Sequence, residues 1–99
     1  MVIFLECTNS EGLPKFAWSH DGFWDADMSL FGFKSTALLC AKACTKEHTC
    51  VAMNYHYSGK TKDACYHYYD SSSLTVENKK DNEFTRPYMK AYIKCQSSQ

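Results

Sequence analysis

Six cysteines in a chain of 99 residues constrain the fold more than any other feature of the sequence. They stand at Cys7, Cys40, Cys44, Cys50, Cys65 and Cys95. A chain this short buries a small core, and an even cysteine count is the usual supplement in an oxidising compartment. The expectation is a disulfide framework in a secreted, extracellular protein. Many pairings are possible, and spacing alone does not choose among them. A bond from the first cysteine to the last would close nearly the whole chain, and chain-entropy reasoning values such a crosslink at about 4–5 kcal/mol. That is comparable with the total stability of a small domain.

Two other readings compete. Cys40, Cys44 and His48 recur every four residues, so on a helix they share one face, and Cys50 follows closely. Three thiolates and an imidazole suit tetrahedral zinc. Zinc would leave Cys7 and Cys95 as spare thiols, however, and no CxxC knuckle is present. Free structural thiols are the third reading. Disulfides are the expectation, with no metal and no cofactor.

The length allows one domain, residues 1–99, with its core over about 2–95 and a polar tail at 96–99. Eleven basic residues balance eleven acidic ones, which disfavours a nucleic-acid partner held by bulk charge. The apolar run Met1–Leu5 is far short of the roughly 20 residues of a membrane span and of a leader's hydrophobic region. No membrane insertion is expected. A mature secreted chain opened by an added initiator Met is the expectation at the start, and no N-x-S/T sequon occurs.

Residues 2–7 read as a first strand, and Asn9–Gly12 with Pro14 as a turn. Residues 15–20 alternate, placing Phe16, Trp18 and His20 on one face. Asp21-Gly22 is a hairpin dipeptide, with Phe23-Trp24 starting the returning strand. A helix is predicted over 37–48, capped by Ser35 or Thr36, with Leu39, Cys40, Ala43, Cys44 and Glu47 along one stripe. Lys46 and His48 would complement the negative end of its dipole. Residues 50–57 and 64–69 then form a hairpin around the polar turn 58–63, residues 71–83 an irregular surface connection, and 87–95 a last strand. The fold class is α+β, with one helix packed on an antiparallel sheet.

At this point the residues resemble the PAN/apple domain family. The likeness rests on Cys40-x3-Cys44 in the helix, on Cys50-Val51-Ala52-Met53-Asn54-Tyr55, on Cys65 after a short turn, and on Cys7 and Cys95 as a framing pair. The resemblance implies one helix cradled by a curved antiparallel sheet, and the pairs Cys7–Cys95, Cys40–Cys65 and Cys44–Cys50. His67 departs from it, standing where the family commonly has a leucine. Free-standing domains of this kind resemble secreted proteins that bind collagen; tandem ones resemble plasma protease zymogens and parasite surface lectins. The implied role is binding without catalysis.

The residues themselves carry no G-x-S-x-G, H-E-x-x-H or phosphate-cradling loop, so no enzyme is expected. Asp21, Asp25 and Asp27 lack EF-hand spacing and read as a solvated acidic loop. Trp18, Phe23 and Trp24 read as core, the other reading being an exposed tryptophan that stacks on a sugar or anchors a partner. In the hairpin, Tyr66 and Tyr68 fall opposite Cys65. Exposed beside Lys60 and Lys62, and with His56, they would make a flat binding patch. The alternative is that another strand covers them as a second small core. The expected function is a secreted module that recognises an extracellular protein, of matrix or cell-surface type, through its sheet face. A glycan-binding lectin and a self-associating structural module are the alternatives.

Overall fold

The computed structural model describes residues 13–82 and 88–95. The predicted strand at 2–7, the start of the last strand at 87 and the tail at 96–99 lie outside them. In chain order the elements are β1 (Phe16–His20), β2 (Gly22–Trp24), β3 (Ser29–Phe33), α1 (Ala37–Lys46), β4 (Ala52–His56), β5 (Ala64–Tyr68), a short 3-10 turn (Ser71–Ser73), β6 (Lys79–Asp81) and β7 (Met89–Lys94). Five strands form an antiparallel sheet in the order β1-β7-β4-β5-β3, and β2 pairs with β6 as a separate ribbon. One helix against a mostly antiparallel sheet is an α+β fold.

The helix forms where good formers follow a threonine. Thr36 Oγ1 accepts from the Leu39 N–H at 3.2 Å. The helix stops at Lys46, two residues short of the prediction, because Glu47 takes an extended backbone and its N–H closes on Ala43 O and Cys44 O. Its buried face is Cys40, Ala41 and Cys44; Leu39 is exposed, so the predicted stripe is rotated. At the C-terminal end, Lys94 on β7 donates from Nζ to Cys44 O at 3.0 Å and Glu47 O at 3.2 Å. A cation from a distant strand, alongside Lys46 in the last turn, thus meets the negative end of the dipole.

Two apolar layers flank the sheet. Toward α1 lie Leu13, Phe16, Cys40, Ala41, Cys44, Cys50, Met53, Tyr55, Cys65 and Tyr92. On the opposite face lie Trp24, Ala52, Tyr68 and Ala91, with Leu74 and Ile93 packed against them. The β2–β6 ribbon supplies Trp24 and so closes this second layer. Gly22 permits the approach: a Cβ there would meet Lys80 O at 1.8 Å.

Three expectations change. Gly22–Trp24 does not return along β1 but pairs with Lys79–Asp81, so 71–83 is not merely irregular. Ser29–Phe33 is a strand where none was predicted. Trp18 is not core: it is 48% exposed on the edge strand, its indole N–H donating to Asp21 Oδ1 at 3.0 Å. A register shift between Trp18 and His20 breaks the alternation, so Phe16 serves the helix-side layer while His20 meets Trp24 edge-on at 5.0 Å.

Candidate functional site

The hairpin residues singled out in the sequence do not form one patch. Tyr68 is wholly buried, its ring edge-on to Trp24 at 5.2 Å. Its hydroxyl accepts from the Trp24 N–H at 3.1 Å and bonds Asn54 Oδ1, while Asn54 Nδ2 donates to Gly22 O and to Lys90 O. The expected exposure of Tyr68 is therefore corrected: the β2–β6 ribbon covers it, as the second-core alternative has it. His56 is corrected too, being only 6% exposed, with Nδ1 2.9 Å from Thr61 Oγ1 and its ring stacked on Tyr66 at 5.0 Å. Tyr66 is half-buried on that stack, Lys60 is exposed in the turn, and Lys62 belongs to a different feature described below.

The largest apolar exposure lies on β3. This strand ends the sheet, pairing only with β5 among the described residues. Leu30 is 51%, Phe31 41% and Phe33 61% exposed. Leu30 and Phe33 sit opposite Tyr66 and Ala64, hence on the face away from α1. The register shifts between Leu30 and Gly32, so Phe31 is the bulged residue; it turns to the helix side, where it stacks on His67 at 4.6 Å with Lys34 Nζ 5.2 Å above its ring. Ring contacts thus hold an exposed phenylalanine in place.

Beneath Phe31 the framework is rigid. Cys40–Cys65 and Cys44–Cys50 are disulfides, with Cα separations of 5.6 and 5.3 Å. His67 is fully buried, with Nε2 3.4 Å from Cys65 Sγ and from Cys40 O, and Nδ1 2.9 Å from Glu47 Oε1. Tyr69 also donates to Glu47 Oε1. That bond, then the one from His67, holds the Glu47 carboxyl below its ordinary range, while burial and the same carboxylate push the Tyr69 hydroxyl up to about 12. Both ring nitrogens of His67 thus have polar neighbours within 3.4 Å. The competing zinc reading is corrected as well: Cys40, Cys44 and Cys50 are each bonded to sulfur and offer no thiolate, and His48 is exposed.

An open cleft of about 260 Å³ lies between the start of α1 and the β4–β5 turn, lined by Ser35, Thr36, Ala37, Tyr55, Tyr57, Lys62 and Asp63. Tyr55 Oη lies 2.6 Å from Lys34 O and 2.7 Å from Asp63 Oδ1, one proton serving both. Burial, then the Asp63 carboxylate, pushes the Tyr55 hydroxyl well above its ordinary range, so it stays a donor. Lys62 Nζ lies 3.5 Å from the same Asp63 oxygen.

Cys40–Cys65 joins the helix to β5 of the five-stranded sheet, and Cys44–Cys50 joins it to the segment just before β4. A family model described as PAN domain matches residues 25–92, from the end of β2 into β7. The chain belongs to the PAN domain family. PAN domains are modules that bind proteins or carbohydrates, and they occur in extracellular proteins. The match spans β3, the helix, both disulfides and the cleft of this PAN domain. No curated protein and no solved structure matches the chain. No helix among the described residues is long and apolar enough to cross a membrane.

Sequence reasoning missed β3 because the bulge sets Leu30 and Phe31 side by side and hides the period of two. Gly32 inside an apolar run was the available sign of a bulge. From sequence Asp63 reads as one more polar turn residue, yet it holds a left-handed backbone at φ +75°.

Proposed function

We propose that this PAN domain is a non-catalytic module of a secreted protein that binds an extracellular protein partner along the outer edge of β3, which has no strand beyond it among the described residues. The observation that carries this reading is three large apolar side chains, Leu30, Phe31 and Phe33, exposed on one five-residue edge strand. Such an edge presents unpaired backbone groups and is a template for another strand. An extended segment of the partner would add main-chain hydrogen bonds and cover the apolar side chains. Three side chains of about 150–250 Å² each, roughly half exposed, offer on the order of 300 Å². That is well below the roughly 800 Å² that each side of a stable globular interface buries, so the edge suits an extended segment whose main-chain hydrogen bonds add to the apolar contact.

The test uses Leu30→Ser and Phe33→Ser, at positions whose side chains already meet water. Both variants should keep the thermal midpoint of the parent. Against a panel of matrix and cell-surface proteins, each should weaken the partner's binding by more than about 1 kcal/mol, a cost that only a minority of interface residues reach. A partner whose affinity ignores both substitutions would overturn the edge as the binding surface. Concentration-dependent dimerisation that both substitutions abolish would assign the edge to a second copy instead.

A further inference from the structure

We propose that the segment docking on β3 runs antiparallel to it, with acidic residues at its N-terminal end, alternating apolar residues in its middle and basic residues at its C-terminal end. This order presupposes the edge as the docking surface and adds the chemistry of what docks there.

The edge has an electrical direction. Just ahead of β3 stand Asp25 and Asp27, both exposed. The ion pairs among the described residues are Lys62–Asp63 and His67–Glu47, so neither aspartate has a cation of its own there. Directly after β3 comes Lys34, whose N–H donates to Asp63 O at 2.9 Å and so ties this end to the β4–β5 turn. Lys60 and Lys62 are exposed in that turn. Lys34, Lys60 and Lys62 thus face a single carboxylate, Asp63, and the end stays positive. A five-residue strand is roughly 17 Å long, about twice the screening length at physiological salt, so the two ends do not cancel.

Between the charged ends the edge offers backbone and apolar side chains. Lys34 N points inward to β5, so by alternation the N–H and C=O of Phe33 point to the open side. Lys34 Nζ lies 5.2 Å above the Phe31 ring, which sets a cation over the edge itself. A segment bonded to this backbone turns every second side chain to the face that carries Leu30 and Phe33.

Direction decides the order of charges. Every ladder of the five-stranded sheet is antiparallel, and antiparallel pairing is the more stable per residue. It sets the segment's N-terminal end beside Lys34 and its C-terminal end beside Asp25 and Asp27. Residues 25–34 of a second copy carry the same order of charges, but they also carry the bulge at Phe31. Two bulged strands facing each other lose register, whereas a segment without fixed structure has no bulge to match.

The experiment uses two capped synthetic peptides, Asp-Asp-Thr-Val-Thr-Val-Thr-Lys-Lys and the same peptide with its Asp and Lys pairs exchanged. Each is titrated into the whole chain while the backbone amides of Leu30, Phe31, Phe33 and Lys34 are followed by NMR. The Asp-first peptide should bind about tenfold tighter at about 20 mM salt, and the gap should close at about 500 mM. Charge reversal of both aspartates, Asp25→Lys with Asp27→Lys, lies at exposed positions and should erase the preference, while Leu30→Ser should weaken both peptides alike. Equal affinity for the two peptides, with both weakened by Leu30→Ser, would overturn the charge order and leave the edge standing. Tighter binding of the Lys-first peptide would overturn it too. Neither peptide shifting these amides at about 5 mM would overturn the proposal and leave the edge to the protein panel above. Dimerisation of the chain that neither peptide displaces would give the edge to a second copy and overturn both readings.

Discussion

His56 couples the stability of the domain to pH through its surroundings. Its ring is 6% exposed, and Nε2 finds no hydrogen-bond partner among the described residues. Burial lowers its pKa below the ordinary value of 6.5. As pH falls through about 6.5, the unfolded chain takes up this proton before the folded one does, so the unfolded state is favoured. This contribution is complete above that pH and is lost as pH falls toward the depressed folded value. The urea midpoint should therefore decline between about pH 7.5 and 5, and His56→Gln should flatten that part of the profile. Glu47 and Asp21 act in a lower window. Their carboxyls are held down chiefly by hydroxyl donors, Tyr69 and Tyr88, so their contribution is present above about pH 4.5 and lost as pH falls further. Alternation along β5 was enough to set Tyr66 and Tyr68 opposite Cys65, but it carried nothing about what lies above that face. Trp24, forty-four residues from Tyr68 in the chain, decides the burial.

Among the elements, α1 is held more by covalent bonds than by packing. It buries only Cys40, Ala41 and Cys44, and two of those three are crosslinked. The two bonds differ in the loops they close, with sequence separations of 25 and 6. On the chain-entropy account, replacing Cys40 and Cys65 by Ala costs about 3.5 kcal/mol and replacing Cys44 and Cys50 about 2.4 kcal/mol. Equilibrium unfolding of the two double variants should show that order; the reverse would mean that strain, not loop closure, dominates. The helix and the β4–β5 hairpin were legible because their signals are local: a threonine cap before good helix formers, and two aromatic-rich runs around a polar turn. β6 was not legible. Lys79, Lys80 and Asp81 are exposed throughout, and the strand exists because Gly22–Trp24 pairs with it from across the molecule. The cleft was legible in part. Lys62 was picked out for its charge, whereas Tyr57 and Asp63 become neighbours of the helix cap only when the hairpin folds over it.

For the whole molecule, the bond at Cys95 is expected to contribute most to stability. Cys95 is disulfide-bonded, and we propose Cys7, outside the described residues, as its partner. Alkylation of the denatured, unreduced protein should add no mass. Replacing Cys7 and Cys95 by Ala should cost about 4–5 kcal/mol, more than either internal pair, since it opens the longest loop; a smaller cost than Cys44–Cys50 would argue against that partner. The strand order carries a consequence of its own. β1 and β7, the first and last described strands, are neighbours, and Cys95 N donates to Lys15 O at 2.8 Å. Among the described residues the chain therefore enters and leaves the sheet at one corner, with β4 and β5 between that corner and β3. Leu30, Phe31 and Phe33 thus stand on the rim of the sheet opposite the corner where the first and last described strands meet.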